Sequence, residues 1–211
     1  MTELEAVVAA VDEDVRPGAA ERERLAAAVD ELRARVDRAV EDELPPAVAA
    51  ETDVLQVGST ARGTWLSGDR DIDLFVRFPT TLDRAELEEY GLVVGRKVLP
   101  EGHEEYAEHP YVTGTVDGFD VDLVPCYDVE DAASTRSAVD RTPFHNAYLR
   151  ARITDDLAGD VRVFKRFLKA IGAYGSNLRT RGFSGYLTEL LVLEYGGVVP
   201  LLEATGDWHP P

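Results

Sequence analysis

The short segment from Val54 to Val57, β-branched at both ends, passes directly into Gly58-Ser59-Thr60. After the Ser67-Gly68 turn the chain alternates as Asp71-Ile72-Asp73-Leu74-Phe75-Val76. Alternation of period two marks a strand with one buried and one polar face, so Ile72, Leu74 and Val76 share one side and Asp71 and Asp73 the other. The Gly-Ser step between the two segments reads as a tight turn opening a helix that extends through Trp65. Strand, turn, helix start and a second strand carrying two carboxylates on one face therefore follow within a few turns of chain.

Each part has a task in phosphoryl transfer. A helix N-terminus offers unpaired amides and partial positive charge, so Gly58 and Ser59 are candidates for holding a triphosphate. Two carboxylates two residues apart on a strand project together and suit a hard, oxygen-seeking cation such as Mg²⁺. A pair of such ions roughly 3.5–4 Å apart activates an attacking hydroxyl and stabilises the leaving oxygen of an in-line displacement. A third carboxylate is expected from Phe119-Asp120-Val121-Asp122-Leu123. There Asp120 and Asp122 lie on the same face, and periodicity does not choose between them.

The surrounding pattern predicts an α+β chain. Helical spacing covers residues 4–15 and 19–44, and Pro45-Pro46 stops the second helix. Asp83 is the expected N-cap of a helix to about residue 99. Strands are expected near 104–107, 111–116 and 119–124, with Asp117-Gly118 as a hairpin turn and Pro125 ending the last strand. Beyond Thr142 the pattern is helical over 143–152, 160–171 and 184–195. This places a mixed catalytic unit at residues 1–145 and the start of a helical unit at 146–211.

Composition restricts the alternatives. There are 40 Asp and Glu against 22 Lys and Arg, a net charge of −18, and lysine occurs only as Lys97, Lys165 and Lys169. Acidic surfaces normally oppose nucleic acid, but acid enrichment with lysine depletion fits a protein adapted to a salty cytoplasm, where screening shortens the reach of surface charge. Cys126 is the single cysteine, which excludes an internal disulfide and a thiolate metal cage. No apolar run approaches bilayer-spanning length, so a cytoplasmic protein with no membrane partner is expected.

Val57-Gly58-Ser59 followed by Asp71-Ile72-Asp73 resembles the signature of the polymerase-β-like nucleotidyltransferase superfamily. Further stretches, among them Gly58-Ser59-Thr60-Ala61-Arg62-Gly63-Thr64-Trp65-Leu66, Tyr106-Ala107-Glu108-His109-Pro110-Tyr111, Val121-Asp122-Leu123-Val124-Pro125, Asp140-Arg141-Thr142-Pro143-Phe144-His145 and Arg181-Gly182-Phe183-Ser184-Gly185-Tyr186, resemble the archaeal-type, class I CCA-adding enzymes. The family's first metal position also admits Glu and is Asp71 here.

The resemblance implies a catalytic palm followed by part of a helical neck, with the body and tail domains absent. It implies two Mg²⁺ ions on Asp71, Asp73 and Asp122, and leaves Asp120 as a supporting or surface residue. It also implies phosphate contacts from Ser59 and Arg62, and a nucleotide pocket lined by Thr142, His145, Lys165 and Tyr174. The reaction implied is addition of C, C and A to a tRNA 3′ end from CTP and ATP, with release of pyrophosphate. Other outcomes open to these residues are a poly(A) polymerase-like or oligoadenylate-synthesising enzyme, or a truncated fragment that binds nucleotide without turnover. Structural roles compete at three positions: Thr142 as an N-cap before Pro143, and His145 and Tyr174 as partly buried aromatics.

Overall fold

A computed structural model of the chain describes residues 2–208. Residues 209–211 lie outside the described residues. The described residues cluster into two compact units, one of residues 19–61 and 70–147, the other of residues 2–18, 62–69 and 148–208. Each is described separately.

The first unit is a five-stranded mixed sheet with helices against it. Its strands are β1 (Asp53–Val57), β2 (Asp71–Phe78), β3 (His103–Tyr106), β4 (Pro110–Val116) and β5 (Phe119–Tyr127), in the order β1-β2-β5-β4-β3. Only the β2–β5 pair is parallel. Asp117 and Gly118 both take positive φ, 51° and 80°, and join β4 to β5 as the expected two-residue hairpin turn.

In helix α2 (Ala19–Glu43) the expected stripe of Leu25, Val29, Leu32, Val36 and Val40 is buried. Helix α5 (Arg84–Val98) starts at Asp83, whose side chain accepts from the Glu86 amide while the Glu86 carboxylate accepts from the Asp83 amide. The two helices pack on each other, α2 on β1 and α5 on β4 and β5. Ile72, Leu74, Val76, Val121 and Leu123 are buried. Gly91 and Gly95, four apart on α5, let the helix lie directly on the strands. A Cβ on Gly91 would come within 2.6 Å of Pro125, and one on Gly95 within 2.5 Å of Val112.

Three local expectations are corrected. Pro125 does not end β5, which runs on to Tyr127. The Asp120 amide donates toward β2, to the Arg70 carbonyl at 2.8 Å. By alternation the nitrogen of residue 125 faces the β4 side, where pairing has already stopped at Val112 opposite Leu123, so no ladder bond is lost. Pro45-Pro46 ends α2 but also opens a further short helix, α3 (Pro46–Ala49), where a proline at the first position is compatible with helix geometry. The helix α4 (Gly58–Arg62) stops short of Trp65, because Gly63 takes φ 71°, the left-handed conformation that terminates helices.

The second unit is helical. It contains α1 (Glu3–Val15), α7 (Asp155–Ala170), α8 (Gly185–Tyr195) and α9 (Val198–Thr205), and the short α6 (Thr142–Arg150) leads into it from the first unit. Val161, Phe164 and Leu168 of α7, Val192 of α8, and Val198 and Leu201 of α9 form its core, with Val8 and Val11 of α1 packed against them. Helix α7 begins earlier than the apolar pattern indicates because the Thr154 side chain caps it, accepting from the Leu157 amide. Helix α9 escaped the sequence reading. It follows Gly196-Gly197, both at positive φ, and Asp160 Oδ2 accepts from its first amide, that of Val198, at 3.1 Å. Among the described residues no single helix is long and apolar enough to cross a membrane.

Candidate functional site

The parallel pairing of β2 with β5 sets Asp71 opposite Asp120 and Asp73 opposite Asp122. Neighbouring strands lie roughly 4.8 Å apart, and partners in register present their side chains on one face. Four carboxylates therefore share a patch on the sheet face opposite the one built by Ile72, Leu74, Val121 and Leu123. Asp71 and Asp120 are exposed at its outer end, while Asp73 and Asp122 are half-buried. Further along the same face the chain turns apolar, and Phe75, Val57 and Cys126 pack with Leu55 and Val124. The carboxylates thus stand at the open edge of a hydrophobic floor. Burial pushes the Cys126 thiol far above its ordinary range, so it stays neutral, as a core residue does.

Turn geometry brings Gly58 to this patch. Val57 is the β1 partner of Asp73, so the next residue, Gly58, leaves the sheet beside that carboxylate with φ 78°. A Cβ there would lie 2.1 Å from Asp73 Oδ2. Only glycine fits, for reasons of space and of backbone conformation. Ser59 follows as the second residue of α4 and is half-buried.

Tyr111 of β4 belongs to the same neighbourhood and was assigned no role from sequence. Burial, and then the negative charges of Asp122, Glu105 and Asp73, raise its phenol above the ordinary range. Thr113, two residues on, is the β4 partner of Asp122.

The donor set is all oxygen and multiply negative, which is the chemistry that hard divalent cations take. Among the described residues no three His, Cys, Asp or Glu side chains are gathered as a finished metal cage. Asp73 instead directs one oxygen against Gly58. The residue types and their register fit a divalent ion.

Thr142 is not an N-cap. It has helical dihedrals and continues from a 3₁₀ turn at Val139–Arg141 straight into α6, with His145 one turn further on. Asp140 fixes this approach, because its buried carboxylate accepts the amides of Tyr127 (2.9 Å), Arg136 (2.9 Å) and Ser137 (2.7 Å). It thereby ties the segment before α6 to the end of β5.

The remaining candidates lie in the helical unit. Arg62 donates from Nε and Nη2 to the two oxygens of Glu189, at 3.1 and 2.7 Å, and Thr64 donates to the same carboxylate. The Arg62 and Glu189 side chains are 9% and 2% exposed, a forked ion pair inside the unit. Lys165 donates to Asp69 at 2.7 Å, and its ammonium stands 5.5 Å from the centre of the Tyr174 ring, so these two candidates are together. Burial works to raise the Asp69 carboxyl, but the charge and hydrogen bond of Lys165 and the hydrogen bond of Lys169 outweigh it and hold the group below its usual range. A second buried pair joins Arg162 to Asp12 at 2.9 Å, while Arg162 also donates to the Gly63 carbonyl at 2.7 Å.

Sequence reasoning missed Asp69, Glu189 and Asp12. Glu189 alone carried a signal, as the single charge within the apolar stretch from Tyr186 to Leu193.

A mixed sheet carrying paired carboxylates beside a glycine turn is the arrangement of a nucleotidyl-transferring domain. The family profile described as "Nucleotidyltransferase domain" matches residues 34–145, and the chain belongs to that family. A second profile, "tRNA nucleotidyltransferase, second domain", matches residues 159–211. The chain is 64% identical over 211 residues to a CCA-adding enzyme of Halorubrum lacusprofundi, covering 100% of this chain and 45% of that protein. It is 63% identical to one of Halobacterium salinarum, covering 100% and 46%. The expected resemblance to CCA-adding enzymes is met, and the chain spans a little under half the length of these relatives. Among solved structures, a cytoplasmic RNA terminal U-transferase superposes with a TM-score of 0.64 at 19% identity, over 92% of this chain and 52% of that one, a likeness of fold.

Proposed function

We propose that the chain carries the chemical step of CCA addition: attack of a tRNA 3′ oxygen on the α-phosphorus of CTP or ATP. A new O–P bond forms, the bond to the β-phosphate breaks, and pyrophosphate leaves. The observation that carries this reading is the register of Asp71 and Asp73 with Asp120 and Asp122, beside Gly58, in a chain so similar to CCA-adding enzymes.

Asp71, Asp73 and Asp122 are the residues to hold two Mg²⁺ ions, which when bound supply a more acidic attacking hydroxyl and charge compensation at the leaving oxygen. The Gly58 backbone and the Ser59 hydroxyl hold the triphosphate. Thr142 and His145 of the sheet unit and Lys165 and Tyr174 of the helical unit are the further nucleotide candidates, while Arg62 stays committed to Glu189. Most of the rate enhancement then comes from orientation and charge stabilisation. In this reading the protein works in a salt-rich cytoplasm.

The test is incubation with tRNA ending at the discriminator base, Mg²⁺ and each nucleoside triphosphate at high KCl, resolved to single nucleotides. A C-C-A end that Asp73→Ala abolishes supports the proposal. A long A tail or a 2′–5′ linkage assigns the chain to another nucleotidyl transfer. Because the chain spans under half of its relatives, ATP binding without any product would assign it to nucleotide binding alone.

A further inference from the structure

Lys165 and Lys169 stand one turn apart on α7 and converge on a single carboxylate. Lys165 Nζ donates to Asp69 Oδ2 at 2.7 Å and Lys169 Nζ to Oδ1 at 2.9 Å. Both ammonium groups lie 5.5 Å from the centroid of the Tyr174 ring. The carboxylate is itself anchored, since Asp69 Oδ2 also accepts from the Leu66 amide at 3.2 Å. These are two of the three lysines in a chain that otherwise uses arginine for positive charge.

Two ammonium groups so close repel one another unless an anion lies between them, and a lysine stem is flexible. One carboxylate contacting both, with an aromatic face beside them, answers both problems. Each ammonium has three N–H donors and gives one to Asp69. The Lys165 side chain is 7% exposed and that of Lys169 is 37% exposed, so the second reaches solvent where the first is held. A pair of fixed point charges suits a ligand that carries negative charge on more than one phosphoryl group, as a triphosphate does and a monophosphate does not.

Resting on the assignment of Lys165 to the nucleotide's phosphates, we propose that Lys169 is a second ligand of the triphosphate and that Asp69 is the positioning residue that sets both ammonium groups against Tyr174. Calorimetric titration of the 211-residue chain with ATP and with AMP, in Mg²⁺ and fixed KCl, tests it. Lys169→Gln is expected to weaken ATP about tenfold, the scale of one charge-assisted hydrogen bond, and to leave AMP unchanged. Asp69→Asn is expected to lose a similar factor for ATP alone, and Asp69→Glu to recover part of it.

Thermal melting accompanies each variant. Should Asp69→Asn fail to fold, the exposed Lys169 substitution and Asp69→Glu still decide the matter. Undiminished ATP affinity in Lys169→Gln, or equal losses for ATP and AMP, overturns the proposal. Lys165→Gln separates the two levels of inference. Loss of ATP binding there, with none at Lys169, removes the paired clamp and leaves the phosphate assignment standing, whereas no loss at Lys165 removes both.

Discussion

Gly58 and Asp73 are packed so closely that a single methyl group on Gly58 would occupy the space of the Asp73 carboxylate, 2.1 Å from Oδ2. The backbone there is also at φ 78°, which L side chains rarely adopt. Gly58→Ala is therefore expected to cost about 1–3 kcal/mol of stability and to reduce nucleotide incorporation far more than stability alone explains, because Asp73 must rotate away. Denaturant unfolding and single-turnover incorporation, measured on the same preparation, check both halves.

Asp120 and Asp122 share a face and differ in register, and only Asp122 stands opposite Asp73. Asp122→Asn is expected to lower incorporation by more than about a hundredfold, a typical loss when a catalytic charge interaction is removed. Asp120→Asn, at the exposed end, is expected to stay within a few fold of the parent. Equal losses at the two positions would remove the assignment of Asp122 as the third ligand.

The Arg62–Glu189 pair lies inside the helical unit, so Glu189→Ala strands a guanidinium with little water around it. The expected loss is about 3–5 kcal/mol, measured by urea unfolding. Glu189→Gln, which keeps the side-chain volume and one of the two accepting oxygens, is expected to lose less.

Burial raises the Asp160 carboxyl above its ordinary value against the lowering effect of the Val198 amide, and the charges of Asp12 and Asp156 raise it further. A carboxyl whose folded value exceeds its unfolded one, roughly 3.9, favours folding below the unfolded value. That contribution is lost as pH rises through the folded value. Asp160→Asn keeps an acceptor for Val198 and carries no charge. It is expected to be the more stable protein at pH 7 and to lose that advantage below about pH 4. Unfolding midpoints across that range give the sign directly.

A net charge of −18 on 211 residues opposes compaction, and screening relieves that repulsion as the Debye length falls to about 3 Å near 1 M salt. If the acidic composition is an adaptation to salt, the melting temperature rises steadily from low to molar KCl. A temperature indifferent to KCl would leave the composition without that explanation.

Local order was legible in the chain itself. Alternation gave β2 its two faces, the spacing of Leu25 through Val40 gave α2 its buried stripe, and Asp117-Gly118 announced its hairpin, because each depends on residues a few positions apart. The family motifs carried the candidate residues as well.

Pairing over long separations was not legible. Nothing within β2 or β5 states that they run parallel and in register, yet that alone puts Asp122 beside Asp73. Pro125 stays in its strand only because pairing with β4 has already stopped at Leu123. Glu189 and Arg62 are 127 positions apart, and Asp69 and Lys165 are 96 apart. Among 40 acidic residues, no neighbour in sequence marks which one a distant cation will meet. Periodicity sets which way a side chain faces, while its partner depends on how remote segments are brought together, and that is a property of the folded chain.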